Sequence, residues 1–384
     1  MSALAVGAVA ETAPGERRVA LSPDGAARLH TAGQQVIIEA GAGGAAWFPD
    51  ADYTDVGARL VTRHELYEQA DIVVCVHPPA EADIGLLRPG QVLIGLLAPL
   101  VDPRLARRLA DAKVTAISLD GLPRTVSAAQ SMDVLSSQAN VAGYKAALLA
   151  ADSYGGYLPM FMTAAGTTRP AQVLVIGAGV AGLQAISTAR RLGAVVTGYD
   201  VRDAARSAVL STGALFLDVG TAVSAAGEGG YARALTDDEH DAQQSALNAA
   251  IGGFDIVITT AQVPGRRPPS LVSTSGLAAM QPGSVVIDLA ASELGGNVEG
   301  SVPETTTITD NGVTVIGAGN LPSRVPKAAS TAYSRNIVAL LAHLVRDGSV
   351  VLDPGDNITA GVLITHDGDI VHPAVRALLE GPGQ

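Results

Sequence analysis

The sequence predicts an α/β protein with two parallel-sheet domains. Short apolar runs alternate with helix-like stretches along almost the whole chain, which is the pattern of βα units. Hydrophobic residues make up 48% of the 384 residues but aromatic residues only 3%, so the apolar content is mainly Ala, Val, Leu and Ile. That composition is typical of parallel strands covered by helices on both faces. The 16% of charged residues excludes a disordered chain and allows a large buried core.

The first third of the chain contains one series of βα units. Its predicted strands are residues 36–39, 72–76, 92–97 and 114–118. Helix starts are predicted at Ser22 and Asp102, since each precedes a proline. The side-chain oxygen would accept a free backbone amide there, while the proline occupies the first helical position.

A second series begins near Ala171. Its predicted strands are residues 173–176, 194–199, 214–218, 254–260, 284–289 and 313–316. Two stretches without helix breakers, 133–153 and 328–346, predict helices that join the two series. The tail, 358–371, has strand character with a predicted hairpin turn at Asp367-Gly368, and we expect it to return to the first domain. We therefore expect two lobes joined by two helices with a cleft between them. The first domain would comprise 1–135 plus 330–384, and the second 136–329.

The charge and cysteine content exclude several classes of function. Lys and Arg total 25 and Asp and Glu total 37, and the net charge of -12 argues against nucleic acid or anionic lipid as a direct partner. The single cysteine, Cys75, excludes an intrachain disulfide and fits a reducing compartment. Because the chain has no pair of cysteines and its seven histidines are scattered, we expect no metal site. No apolar stretch reaches the length of a spanning helix, and the N-terminus lacks a basic region, so we expect a soluble chain.

The strongest chemical motif is VLVIGAGVAG, residues 173–182. A predicted strand leads directly into Gly177-x-Gly179-x-x-Gly182, followed by helix-like residues, and Asp200 ends the next strand. The first glycine permits a tight turn, the second lets a pyrophosphate approach the backbone, and the third lets helix and strand pack closely. Asp200 would accept hydrogen bonds from ribose hydroxyls and repel a 2′-phosphate. The motif therefore predicts a dinucleotide site that prefers NAD(H), although Arg202 and Arg206 lie near enough to favour a phosphate.

Two other glycine-rich segments need separate interpretations. Residues 219–244 contain glycines followed by an acidic run, which is consistent with a solvated connector or with a functional lid. Gly317-Ala318-Gly319 lacks both a third glycine and a following helix, so it predicts only a turn.

These motifs, and the sequence between them, resemble one protein family. The resemblance is to the NAD(H)-binding domain of proton-translocating nicotinamide nucleotide transhydrogenase, and more distantly to alanine dehydrogenase. It covers essentially the whole sequence, and its densest parts are PGERRVALSP (14–23), AQSMDVLSSQANVAGYKA (129–146), the glycine motif, GGYA (229–232), TTAQVPGRRPP (259–269), GSVVIDLA (283–290) and LPSRVP (321–326).

The resemblance implies a fold, a reaction and partners. The fold would be two Rossmann-like parallel-sheet domains with NAD(H) in the inter-domain cleft and a mobile loop near 219–244. Hydride would pass directly between NADH on this chain and NADP(H) on a partner β subunit. A membrane-embedded transhydrogenase subunit would couple that transfer to proton translocation. The chain would form a homodimer, and would be cytoplasmic and peripheral on the inner face of the plasma membrane through its partner subunits.

The resemblance also assigns site residues. The family's catalytic set matches Arg124, Gln130 and Asp133. The cofactor-binding matches are Ser136, Gly177, Gly179, Val180, Gly182, Asp200, Val201, Arg202, Tyr231, Thr260, Ala261 and Pro264. This chain departs from the family pattern at Ala128, where a second arginine is common, and the spacing from Arg124 to Gln130 is longer by one residue than in some members.

Two other functions stay open beside that one. Alanine dehydrogenase chemistry needs a cation for the substrate carboxylate and an imidazole as acid/base. The lysine expected for the first role is Cys75 here, and the histidine expected for the second is Leu96. His77, beside Cys75, is the nearby imidazole, and a hydrogen-bonded surface role is its ordinary one. An inactive NAD-binding scaffold is the third possibility.

Overall fold

The computed structural model describes residues 3–219, 236–262 and 265–380, and the chain divides into two compact units. The first unit comprises 1–138 and 323–384, and the second comprises 139–322. Each unit has its own parallel sheet covered by helices, so the predicted fold class is confirmed. Among the described residues, no helix combines the length and the apolarity needed to cross a bilayer.

The N-terminal part of the first unit alternates strands with short helices. Its elements are β1 Ala5–Ala8, α1 Pro23–Thr31, β2 Gln35–Glu39, α2 Asp50–Thr54, β3 Arg59–Val61, α3 Arg63–Gln69, β4 Ile72–Val74, α4 Glu81–Ile84, β5 Val92–Gly95, α5 Pro103–Asp111 and β6 Thr115–Ser118. A 3-10 helix, Ser127–Met132, precedes α6 Val134–Ser153. The chain passes from the first unit to the second within α6.

The second unit contains the longer βα units. Its elements are β7 Phe161–Thr163, β8 Gly166–Thr168, β9 Gln172–Ile176, α7 Val180–Arg191, β10 Val195–Tyr199, α8 Asp203–Ser211, β11 Leu215–Phe216, α9 Asp237–Ile251, β12 Ile256–Thr259, α10 Thr274–Ala279, β13 Val285–Asp288, β14 Thr306–Ile308 and β15 Thr314–Gly317.

The C-terminal part returns to the first unit at Ser323, just before its long helix begins. Its elements are α11 Pro326–Leu344, β16 Val345–Arg346, β17 Ser349–Val350, α12 Asn357–Val362, β18 Leu363–His366, β19 Asp369–Ile370 and α13 Pro373–Glu380.

Both large sheets reverse their strand order in the middle. The sheet of the first unit has the order β19-β18-β6-β5-β4-β1-β2-β3, with β1 to β6 parallel. The sheet of the second unit has the order β11-β10-β9-β12-β13-β15-β14, and only β14 runs antiparallel. In the second unit the reversal lies between β9 and β12, which is where open α/β sheets bind ligands at the carboxyl ends of the strands.

Local sequence signals explain the helix starts. The Ser22 hydroxyl accepts the Gly25 amide at 3.3 Å, and Asp102 accepts the Arg104 amide at 3.1 Å. Both predicted proline-led caps are confirmed. Every predicted strand of the two series is present, with bounds that differ by a few residues.

The tail differs from the prediction in its first part. Residues 358–362 are helical, because the Asp356 carboxylate caps α12 by accepting the Thr359 amide at 2.9 Å. Strand structure begins only at β18, and the turn at Asp367 and Gly368 has positive φ at both residues, which confirms the hairpin. Because β18 pairs with β6, the predicted return of the tail to the first domain is confirmed.

Candidate functional site

The glycine motif forms a tight turn between β9 and α7. Gly177 has φ +99°, a conformation that a residue with a side chain rarely adopts. A Cβ placed on Gly182 would lie 1.7 Å from the Gly177 carbonyl oxygen, so only glycine allows this contact of turn and helix. A Cβ on Gly179 would meet no atom within 4 Å, so the backbone there is open to a ligand.

The N-terminus of α7 lies at this turn. Its N-cap is Gly179, which has no side chain to bind the amides of the first turn. The amides of a first helical turn and the helix dipole together attract anions. The turn therefore has the open backbone and the electrostatics that a diphosphate requires.

Asp200 follows β10 and fixes the turn from the side. Its carboxylate accepts the Ala178 amide at 2.7 Å, the Arg202 amide at 2.9 Å, and two guanidinium bonds from Arg202 at 2.8 Å each. Burial alone would raise the pKa of Asp200, but these hydrogen bonds outweigh it, and the pKa lies below its ordinary value. The acid predicted from the sequence is therefore ionised and already paired with Arg202.

A second arginine near Asp200 is also engaged. The Arg206 guanidinium lies 3.2 Å from the Asp218 carboxylate and 5.0 Å from the centre of the Phe216 ring. Both arginines that could have favoured a 2′-phosphate are therefore bound to carboxylates of this unit.

Thr260 and Ala261 follow β12 on the other side of the strand-order reversal. The Thr260 hydroxyl donates to the Gly177 carbonyl at 3.1 Å, which ties the end of β12 to the glycine turn. The backbone amide of Ala261 donates to the side chain of Asn297 at 3.0 Å. Asn297 was not predicted from the sequence. The signal that could have identified it is an asparagine that directly follows two glycines, in the segment after a buried strand.

Arg124 and Asp133, from the predicted catalytic set, form one cluster in the first unit with Ser136, from the predicted cofactor-binding set. The Arg124 guanidinium bonds to Asp133 at 3.1 Å and to the Ser136 hydroxyl at 2.9 Å. The Ser136 hydroxyl and amide both donate to Asp133, at 2.6 and 2.8 Å. Asp133 is 9% exposed and stands at the start of α6, so its position is fixed by the helix terminus.

Gln130 lies on the 3-10 helix that precedes this cluster. Its side chain is exposed, and its carbonyl accepts the Asp133 amide at 3.3 Å. Gln130 thus lies three residues before Asp133, with its amide group available at the surface.

The remaining predicted residues divide into two groups. Val180 begins α7, and Val201 follows Asp200 and packs partly against the core beneath the sheet. Tyr231 and Pro264 lie outside the described residues, as does most of the segment 219–244 interpreted above as a connector or a lid.

The first unit also contains a buried ion cluster beyond the end of β4. Glu16 bonds to Arg18 at 2.7 Å and to His77 at 2.7 Å, and Arg18 donates to Gln138 at 2.9 Å. Burial would raise the pKa of Glu16, but its hydrogen bonds to Arg18 and His77 hold that pKa well below the ordinary range. Cys75, two residues before His77 in the sequence, is 2% exposed, and burial raises the pKa of its thiol, so the thiol is neutral.

Comparisons with known proteins give a consistent family. The profile "Alanine dehydrogenase/PNT, N-terminal domain" matches residues 7–142, and "Alanine dehydrogenase/PNT, C-terminal domain" matches residues 146–373. The chain is 41% identical over 373 residues to "NAD(P) transhydrogenase subunit alpha" of Cereibacter sphaeroides, covering 96% of this chain and 71% of that protein. It is 32% identical over 388 residues to "Alanine dehydrogenase" of Mycobacterium tuberculosis, covering 98% and 97%. The crystal structure of transhydrogenase from Sinorhizobium meliloti superimposes with a TM-score of 0.86 at 40% identity, covering 96% of this chain and 100% of that chain.

Proposed function

The chain belongs to the alanine dehydrogenase/PNT family, and on that premise we propose that it is the NAD(H)-binding subunit of a proton-translocating NAD(P) transhydrogenase. Hydride passes between NADH on this chain and NADP+ on a partner β subunit, and a membrane-embedded subunit couples the transfer to proton translocation. The observation that supports this most directly is the hydrogen-bonded cluster of Arg124, Asp133 and Ser136, in which two residues matched to the family's catalytic set bond to one matched to its cofactor-binding set.

The second unit fits the dinucleotide. The open backbone at Gly179 and the uncapped N-terminus of α7 suit the diphosphate. The residues that would hold the phosphates are Gly177, Gly179, Val180 and Gly182, and those that would hold the adenosine are Asp200, Val201 and Arg202. We further assign Ser136, Tyr231, Thr260, Ala261 and Pro264 to the rest of the cofactor.

The two nucleotides supply the hydride donor and acceptor, so the protein's task is to position them and to exclude water. Asp133 is held on both oxygens by Ser136 and Arg124, and it presents a fixed negative charge. Gln130 has an exposed amide that both donates and accepts, which suits a carboxamide group. No side chain has to gain or lose a proton in such a transfer.

Alanine dehydrogenase is the competing function, supported by the 32% identity. The two positions where that chemistry would need a cation and an imidazole hold Cys75, a buried neutral thiol, and Leu96, a hydrocarbon packed against the core. His77 is hydrogen-bonded to Glu16. Cys75 and Leu96 can neither pair with a carboxylate substrate nor move a proton in those two roles, so we favour the transhydrogenase function.

The test is an assay of the purified chain with and without its partners. Mixed with the NADP(H)-binding subunit, the chain should support reduction of an NAD analogue by NADPH, and alone it should support neither this exchange nor alanine oxidation. Alanine-dependent NAD reduction by the chain alone would overturn the assignment. NADH binding without any exchange in the mixture would instead identify an NAD-binding scaffold.

The partner and location proposals follow from the same family. We expect a homodimer that is cytoplasmic and peripheral on the inner face of the plasma membrane, held there by the membrane-embedded subunit. Light scattering should give twice the chain mass of 38.8 kDa. Co-sedimentation with membrane vesicles should require the membrane-embedded subunit.

A further inference from the structure

Asn297 has a fully buried side chain whose two polar atoms are both hydrogen-bonded. Its Oδ1 accepts the Ala261 amide at 3.0 Å, and its Nδ2 donates to the carbonyls of Ala261 at 2.9 Å and Pro269 at 2.8 Å. Its own carbonyl accepts the amides of Leu271 at 2.8 Å and Val272 at 3.0 Å. One residue therefore holds the chain both where it leaves β12 and where it approaches α10.

A buried carboxylate fixes the backbone on which Asn297 stands. Asp288 ends β13 and is fully buried, and it accepts the Val298 amide at 3.1 Å and the Thr259 hydroxyl at 3.1 Å. A Cβ on Gly296 would lie 2.3 Å from the Asp288 carboxylate, so the chain beside Asn297 packs directly against that charge. Asp288 therefore fixes the position of the side-chain amide of Asn297.

The segment held by Asn297 lies at the strand-order reversal of the sheet. Ala261 comes two residues after the end of β12, and its neighbour Thr260 touches the glycine turn through the Gly177 carbonyl. A dinucleotide spans such a reversal with one mononucleotide half on each side. Since Asp200 follows β10 and would hold the adenosine, the nicotinamide half falls on the side of β12.

We infer that Asn297 is a positioning residue for the nicotinamide half of NAD(H), acting through the backbone at Ala261. The inference rests on the proposed binding of NAD(H) to the second unit. Removing the Asn297 amide leaves the amide and carbonyl of Ala261 without their buried partner, and buried unpaired groups of this kind force the backbone to move. The backbone at Ala261 then no longer lies where it can contact the nicotinamide half, while the glycine turn and Asp200 keep their own contacts.

The test compares two ligands on the full-length chain. ADP-ribose contains everything in NADH except the nicotinamide, so the difference between the two affinities reports on the nicotinamide half. Asn297→Ala should raise the Kd for NADH by at least about tenfold and change the Kd for ADP-ribose by less than about twofold. If the alanine variant does not fold, Asn297→Ser, which retains a small polar group, is measured in the same way and should show the same split.

Asn311→Ala is the matched control. Asn311 is also an amide of the second unit, and it donates to backbone carbonyls beside α10, those of Leu277 and Met280 at 3.1 Å each and that of Ala278 at 3.4 Å. It should lower thermal stability by an amount similar to Asn297→Ala and leave both ligand affinities unchanged.

Each result decides a different question. Equal weakening of NADH and ADP-ribose in the Asn297 variants, or no weakening of either, would overturn the positioning role. Equal affinities of the unsubstituted chain for the two ligands would also overturn it, since the nicotinamide then makes no useful contact. Failure of the unsubstituted chain to bind NADH at all would instead refute the proposed function.

Discussion

Asp200 and Arg202 form a partly buried ion pair at the end of β10, and this pair determines the expected nucleotide preference. A 2′-phosphate would have to approach the ionised carboxylate, which already has a low pKa and is held by Arg202 and Ala178. We predict that the chain binds NADH at least about tenfold more tightly than NADPH, which corresponds to about 1.4 kcal/mol. Asp200→Ala should narrow this gap, because it removes the ribose acceptor and frees the Arg202 cation. Equilibrium fluorescence titration measures both ligands.

Asp310→Ala provides the control for that prediction. Asp310 is an exposed acid between β14 and β15, at the opposite side of the sheet from β10 and β11. Its removal should leave the NADH to NADPH ratio unchanged. Equal affinity of the unsubstituted chain for the two nucleotides would contradict the assigned role of Asp200.

Gln130 and Asp133 provide the second prediction at the scale of single residues. Gln130→Asn shortens an exposed amide by one methylene, and Asp133→Asn replaces an oxygen that receives bonds from Ser136 or Arg124. Positioning is lost steeply on small displacements, so each change should reduce hydride transfer by about one to three orders of magnitude. The affinity for NADH should change by less than about tenfold.

Ser131→Ala tests whether that effect belongs to the side chains or to their segment. Ser131 is exposed on the same 3-10 helix, and it is its backbone carbonyl that bonds to Asn336. The alanine variant should transfer hydride at the unsubstituted rate. Full rates in both Gln130→Asn and Asp133→Asn would remove these two residues from the site.

At the scale of the secondary-structure elements, the sequence predicted the strands of the repeated βα units and missed several short strands. The strands of both βα series could be found because they are apolar runs between turn signals. β1 was not found, because its sequence AVGA has two alanines and a glycine, which have a low strand preference, and it reads only as an apolar start. The hairpin of β7 and β8 was missed because its strand residues are all exposed and give no periodic signal.

The candidate site was predictable only where local sequence determines it. The glycine turn and the acid after β10 follow from one βα unit, whose requirements are local. The bond of Asn297 to Ala261 joins residues of different loops, and no periodicity encodes it. The sequence already indicates that Arg202 lies close to Asp200. Whether Arg202 pairs with Asp200 or is available to bind a phosphate could be decided only from the structure.

α12 shows how a single cap outweighs strand-like composition, and this provides a stability prediction. Asp356 accepts the amide and the hydroxyl of Thr359, at 2.9 and 2.8 Å, and lies 2.7 Å from His343 on α11. Asp356→Ala should lower the free energy of unfolding by about 1–2 kcal/mol, the usual cost of a lost N-cap. Urea denaturation measures this change.

Asp24→Ala is the control. It removes an exposed i,i+4 pair with Arg28 and should lower the free energy of unfolding by less than about 0.5 kcal/mol. A loss no larger than that control in the Asp356 variant would show that the cap does not stabilise α12.

The stability of the whole molecule depends on pH through acids whose pKa values move in opposite directions. For Glu16, burial is outweighed by the hydrogen bonds from Arg18 and His77, and for Asp356 by those from His343 and Thr359, so both pKa values are lowered. For Glu11, burial dominates over its bonds to the backbone and raises the pKa. A lowered pKa stabilises the fold at pH values above the unfolded value, and this contribution is lost as the pH falls through the folded value. A raised pKa acts in the reverse sense, and its contribution is lost as the pH rises.

We therefore predict an acid limb of stability that depends on Glu16. The ordinary pKa of a glutamate is 4.5, so the contribution of Glu16 should be complete above that pH and decline below it. Glu16→Gln should lower the free energy of unfolding near pH 7, since it leaves Arg18 without its buried carboxylate, and should flatten the decline below pH 4.5. The measurement is urea denaturation across the pH range from about 3 to 8. Glu68→Gln removes an exposed partner of His64 and should leave the whole profile unchanged. A Glu16→Gln profile parallel to that of the unsubstituted chain would mean that the acid limb arises from other carboxylates, because the linkage requires the slope to change wherever a perturbed proton site is removed.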